Sequence, residues 1–376
     1  MDPAVFDLIE QDASDPEAVF DRIAEIARRE KNYHLLFGSK MMRMRLRLSL
    51  PLIDTEELPR LSNEQRCVYE QAFREAARES GELLLAEGDI AGAWQYFKAI
   101  DEPAPVAAAI DRVNEDDPNL DRVIHIAYQE GVHRLKGFDL CLKHHGICTA
   151  ITWFGANPDS ETRERCLEML VASLYHAVAV AIRETIAAAE GAAPAGDSLD
   201  AMIADRAWLF EGISSYVDAT HLTSILRFAP ELRDQESLRM AVDLADYGQR
   251  LNPMYHFRGD PPFENTYRDH AIYLRALAGE NPDAAIAHFR AKIRGPGDSM
   301  PARVFVELLL RLGRKREAVE AALEYLPPEI SPENFALAFE VCQAAGDFKT
   351  LRRIARDRGD LLSYAAATIQ EERSHA

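Results

Sequence analysis

Gly279, Gly313 and Gly346 stand 34 and 33 residues apart, each between an apolar helical segment and a second, amphipathic one. A period of this length is the signature of a two-helix unit that cannot bury its apolar face alone, so successive units must stack. The flanks repeat as well: Ala276-Leu277-Ala278 leads through Gly279 to Ala284-Ala285-Ile286, Arg311-Leu312 through Gly313 to Ala318-Val319, and Ala344-Ala345 through Gly346 to Leu351. Glycine after a helix can take the left-handed conformation that closes it. Apolar residues recur at three- and four-residue spacing elsewhere, as in Phe305, Leu308, Leu309 and Leu312, which is the pattern of amphipathic helices. One stretch competes: Met42 to Leu50 alternates strictly, as a half-buried strand would. A helix is still expected there, because the run ends at Pro51 and a lone strand would leave its ladder unpaired. The expected fold is therefore all-α, a helical-hairpin repeat array of the α-solenoid kind with a less regular central helical region.

An earlier segment carries the pattern more fully. Gly81, Gly88, Asp89, Ala93 and Phe97 supply a small residue in a first helix, a Gly-Asp turn, a small residue in the second helix and an aromatic. Together with the C-terminal glycines, these residues resemble the tetratricopeptide repeat family, over the segments near 66–103 and 262–360. Val306 and Phe339 stand where the family pattern has a small residue in the first helix, and one extra residue follows Gly279. The resemblance implies stacked helical hairpins and an adaptor that binds a protein or peptide partner. Three regions are expected: 1–118 with one repeat-like hairpin, a central His-rich helical region over 119–261, and tetratricopeptide-like repeats over 262–376. Breaks are expected at 101–105, 114–118, 155–158 and 191–198, and the irregular passage from Asn252 to Asn265 is long enough for a binding loop.

With 376 residues, 47% of them hydrophobic, the chain can bury a large core, and its formal net charge of -19 opposes binding to a polyphosphate backbone. The acidic N-terminus has no basic start or apolar run of a signal peptide. The longest apolar stretch, Leu170 to Ile182, is shorter than a bilayer span and carries His176, so it reads as a buried helix and no membrane partner is expected. Cysteines at 67, 141, 148, 166 and 342 describe no disulfide framework, which fits a cytoplasmic protein. Motifs for nucleotide binding and for the common hydrolase mechanisms do not occur, so no nucleotide cofactor is expected.

Eight of the eleven histidines lie between positions 125 and 270. Glu130 and His133 are three apart, a spacing that projects both from one helix face and can supply two metal ligands. Asp218 and His221 repeat that spacing. With His125 and His176, which stand in apolar stretches where an imidazole needs a partner, they form the expected ligand set for a divalent metal such as Zn, Fe or Mn. His256 and His270 flank the Pro-rich passage and are the expected acid-base residues. Each of these has a plainer reading, as a solvated polar stripe or as an imidazole bonded to a backbone carbonyl. The segment Gly137–Cys148 adds Cys141, His144, His145 and Cys148, at a spacing unlike that of a zinc finger. Two functions follow: an enzyme with a His/carboxylate pocket acting on a small polar substrate, or a non-catalytic adaptor whose acidic surface selects basic targets.

Overall fold

Ser62 opens the helix Asn63–Ala86 with a reciprocal cap, its hydroxyl accepting from the Gln65 amide while the Gln65 side chain accepts from the Ser62 amide. Asp15, Asn32, Asp89, Asp234, Asn265, Ser331 and Asp347 cap other helices with one side-chain oxygen each. Such caps satisfy amide groups that a helix leaves unpaired at its start. The computed structural model describes all residues except 1–3, 54–60, 158–159, 195, 197, 214, 296–298, 329–330 and 376. Parts of the expected breaks at 155–158 and 191–198 therefore lie outside the described residues. Twenty α-helices and no strand occur among those described, with one isolated antiparallel bridge between Arg258 and Asn265.

The fold is all-α, a helical-hairpin repeat array. The alternating run from Met42 belongs to the helix Tyr33–Arg47, whose Arg43 and Arg47 pair with Glu17. The chain divides into two compact units, residues 1–146 and 147–376, where the sequence suggests three regions, and the division falls inside the expected central region. In the first unit, the helices Pro16–Arg29 and Tyr33–Arg47 pair, as do Asn63–Ala86 and Ile90–Ala99. In the second, three hairpins follow one another: Thr266–Leu277 with Pro282–Ala291, Ser299–Arg311 with Lys315–Tyr325, and Pro332–Ala345 with Phe348–Arg358. Gly279, Gly313 and Gly346 close the first helix of each with φ of +91°, +73° and +71°. The extra residue after Gly279 is accommodated by Asn281, which is itself left-handed at φ 49° and hands over to Pro282.

The helix Ser160–Glu190 is 31 residues, more than twice the apolar run seen in the sequence. By length and composition alone it is long and apolar enough to cross a bilayer. Leu167, Leu170, Val171, Leu174, Val178 and Ile182 are nevertheless fully or almost fully buried in the second unit, so one face of the helix is core. His176 lies on the other, exposed face, which corrects its expected burial.

Gly81 and Phe97 show why the repeat-like hairpin of the first unit needs a small residue. A Cβ at Gly81 would lie 2.6 Å from the Phe97 ring, which is fully buried. Replacing Gly81 with Val drives three carbons into this space and adds a β-branched residue, which recovers little helix propensity. Urea unfolding of G81V should show a loss of about 1–3 kcal/mol, the usual cost of overpacking. Unchanged stability would mean that the ring does not fill this site.

Candidate functional site

Of the expected metal ligands, His133 precedes the helix Arg134–His144, and its Nδ1 accepts from the Lys136 amide at 3.5 Å. The opposite nitrogen, Nε2, faces Asp111 Oδ1 at 2.8 Å, so both nitrogens are occupied. Glu130 Oε2 accepts from Trp94 Nε1 at 2.8 Å and Lys98 Nζ at 2.6 Å. Partial burial pushes this carboxyl up, and the bonds from Lys98 and Trp94 outweigh it, leaving it below the usual carboxylate range. His125 opens a π-helical turn, His125–Gln129, and is exposed rather than buried: its neighbours Ile124 and Ile126 take the core positions.

The remaining three ligands belong to the second unit. His176 Nδ1–H donates to the Ala172 carbonyl at 2.6 Å. Asp218 caps the helix Ala219–Phe228, its Oδ1 accepting from the Thr220 amide at 2.8 Å and hydroxyl at 2.7 Å, and these bonds hold the carboxyl below its ordinary range. His221 is half-buried on the first turn of that helix. Among the described residues the six do not form a three-ligand group, because caps, ion pairs and carbonyls take Glu130, His133, His176 and Asp218 separately. The one group of three that could hold a metal ion among the described residues is Asp121, His144 and His145. Sequence reasoning passed over Asp121, although His144 and His145 at the end of a helix before a glycine were visible.

The two expected acid-base residues are also spent on the backbone. His256 Nε2–H donates to the Leu251 carbonyl at 2.9 Å. His270 is buried, stacks on Phe263 with ring centres 4.2 Å apart, and donates from Nδ1 to the Thr266 carbonyl at 2.6 Å. Loss of hydration lowers its pKa to about 4, so it is neutral at pH 7. The passage 252–265 is tied down rather than loose: Tyr267 and Thr266 donate to the carbonyls of Tyr255 and Phe257, each at 2.9 Å. Beside it, Ser215 to Thr220 with Tyr255 and Phe257 line a cavity of about 490 Å³.

A larger cavity, about 970 Å³, lies along the hairpins of the second unit. Tyr273 and Leu277, then Arg303, Val304, Glu307, Leu310 and Arg311, then Leu337 line it, each group from the first helix of its hairpin. The repeat explains this. Tyr273 and Glu307, like Leu277 and Arg311, are 34 residues apart, and Val304 and Leu337 are 33 apart, so equivalent positions line the cavity in turn. The remaining wall brings Arg163, Arg233, Glu164 and Glu231. Arg163 is fixed by Glu231 through bonds of 2.6 and 2.9 Å, and Arg311 donates to the carbonyls of Pro230 and Leu232. Arg233 is exposed and Arg303 half-buried.

No family model and no curated protein matches the chain. A solved structure, described as a circular tandem repeat protein with novel repeat topology and enhanced subunit contact surfaces, matches over 96% of this chain and 79% of its own, at 17% identity and a TM-score of 0.18. At that score the two chains do not superpose as wholes, and the fold assignment stands on the helices and hairpins described above.

The buried imidazole gives the second unit a pH signature. Between pH 6.5 and about 4 the unfolded chain holds a proton that folded His270 does not, so this residue makes stability fall as pH falls through that window. The full effect is on the order of 3 kcal/mol. Asp243 acts in the opposite sense: burial first, then the Asp200 charge, raise it to about 6, so the folded chain holds the extra proton and gains stability as pH falls from there. Urea unfolding of wild type and His270→Leu between pH 7 and pH 4 should therefore show a steeper acid loss in the wild type, and parallel profiles would rule out the buried neutral ring.

Proposed function

We propose that the hairpins of the second unit are tetratricopeptide-like and that this unit is an adaptor, docking a peptide segment of a partner protein along the 970 Å³ cavity. The observation that carries the reading is the lining itself: the same helix of each successive hairpin contributes, at equivalent repeat positions, to one continuous wall. Repeat arrays offer extended binding faces of this kind. The wall mixes apolar Leu238, Phe263, Tyr273, Leu310 and Leu337 with four arginines and three glutamates. Its local balance is thus positive, while the chain as a whole stands at -19.

That contrast selects the occupant. Charge complementarity at a docking face rejects wrong partners and sets register. The overall acidity favours basic targets at long range, but exposed Arg233 and half-buried Arg303 favour a segment that places a carboxylate beside an apolar anchor. The catalytic alternative, with the six expected ligands around one metal and His256 and His270 as acid and base, has no comparable support among the described residues.

The test is selection from a library of short displayed peptides with the full-length chain, followed by affinity measurement on the synthetic winners. Peptides with an acidic residue next to Leu, Ile or Phe should be enriched, and Arg233→Glu with Arg303→Glu should weaken them at least about tenfold, equivalent to about 1.4 kcal/mol. Enrichment of basic peptides, or an affinity untouched by the double substitution, would overturn the assignment of this cavity.

A further inference from the structure

Asp121 stands on the first turn of the helix Leu120–Ile124, and His144 and His145 end the helix Arg134–His144 at its last residue and its cap. Asp121 Oδ1 lies 3.2 Å from His144 Nε2 and 3.4 Å from His145 Nε2, and the three ligand atoms all fall within 4.8 Å of one another. In a tetrahedral zinc site with ligands at 2.0–2.2 Å, neighbouring donor atoms are about 3.3–3.6 Å apart. Both nitrogen-oxygen distances are already close to that edge. The rings meet at 67° with centres 4.8 Å apart, so the imidazoles converge without stacking flat on one another.

We propose that Asp121, His144 and His145 bind a zinc-class divalent cation through two imidazole Nε2 atoms and one carboxylate oxygen. Two imidazoles and a carboxylate are a donor set for Zn²⁺ and its first-row neighbours, and too nitrogen-rich for Ca²⁺ or Mg²⁺. The fourth position faces solvent: a cavity of about 330 Å³, lined in part by Asp117, Asp121, Arg122 and His144, adjoins the group. Two carboxylates against one guanidinium give that cavity a negative balance, which favours a cation. Cys141, one turn earlier, is fully buried and is not among the ligand atoms that come together here. The side chains of Asp121, His144 and His145 are 77%, 40% and 29% exposed, so metal can enter without local unfolding. The site is in the first unit, and its reading does not rest on the one proposed for the second.

Zn²⁺ titrated calorimetrically into the tag-free, full-length chain at pH 7.5 should bind with one equivalent at this site. His144→Ala, His145→Ala and Asp121→Asn should each weaken it at least about tenfold, while His176→Ala, which changes an exposed imidazole of the second unit, leaves it unchanged. On the wild-type chain, Co²⁺ should give tetrahedral ligand-field bands without thiolate charge transfer, a readout that does not depend on a variant folding. Absence of binding, wild-type affinity in the three variants, a thiolate band, or loss on replacing Cys67 or Cys148 with Ser instead would overturn the proposal.

Discussion

Tyr273 and Phe289 meet edge to face, ring centres 5.4 Å apart and planes at 89°, inside a buried cluster that continues through Ala302, Phe305, Leu309, Ala318, Val341 and Leu351. Each hairpin of the second unit contributes to this cluster and none encloses it alone. A pair of short helices is marginal in water, since nucleation costs more than the first few hydrogen bonds return. Stacking changes the sign, because the face left apolar by one hairpin is covered by the next, at roughly 25 cal/mol for each Å² removed from water. The regular spacing of the hairpins follows from that requirement, and the wall of equivalent residues along the large cavity follows from the spacing.

Polar groups inside such an array are tolerated only where they satisfy one another. Asp269 is almost fully buried, and its oxygens accept from the Asn265 amide at 2.8 Å and Lys292 Nζ at 2.7 Å, with His288 Nε2 at 2.9 Å. Glu264 holds the same lysine at 2.8 Å. Removing Lys292 would leave the Asp269 carboxylate without its nearest cation in a dry place, which costs more than the pair contributes. This network ties the end of the irregular passage 252–265 to both helices of the first C-terminal hairpin, and so sets where the array begins.

What could be read from the sequence was whatever repeats or alternates. Gly279, Gly313 and Gly346 gave the hairpins, since a left-handed residue at a helix end has few substitutes, whereas the helix that the Met42 alternation obscured ends at Arg47, before Pro51, with Ser49 left-handed at φ 56°. The extent of Ser160–Glu190 was hidden because polar residues on either side break the continuous apolar run, although buried Leu167 and Ile186 carry its four-residue period further in both directions. The site was legible only as a set of residue types. Periodicity says that His125 and His176 sit among apolar neighbours, but a helix among buried neighbours still has an outer face, and both residues lie on it. Asp121 was invisible as a ligand because its importance comes from meeting His144 and His145, more than twenty residues away, and no local pattern encodes that meeting.

The concentration of histidines in the middle of the chain has a physical explanation that does not require one shared site. His176 and His270 each turn Nδ1–H back onto the carbonyl four residues earlier in their own helix, and His256 reaches the Leu251 carbonyl. His133 caps a helix with one nitrogen and faces Asp111 with the other. An imidazole has a donor and an acceptor on a compact ring, so it can complete a helix end or a carbonyl while packing like an aromatic. His144 and His145 differ from all of these in one respect: their Nε2 atoms point at the same carboxylate oxygen. A carboxylate oxygen readily accepts from two donors, as Glu130 Oε2 does from Trp94 and Lys98, but here both neighbours are imidazoles, whose unprotonated nitrogens are also metal ligands, so the same convergence is the arrangement that the proposed cation would use.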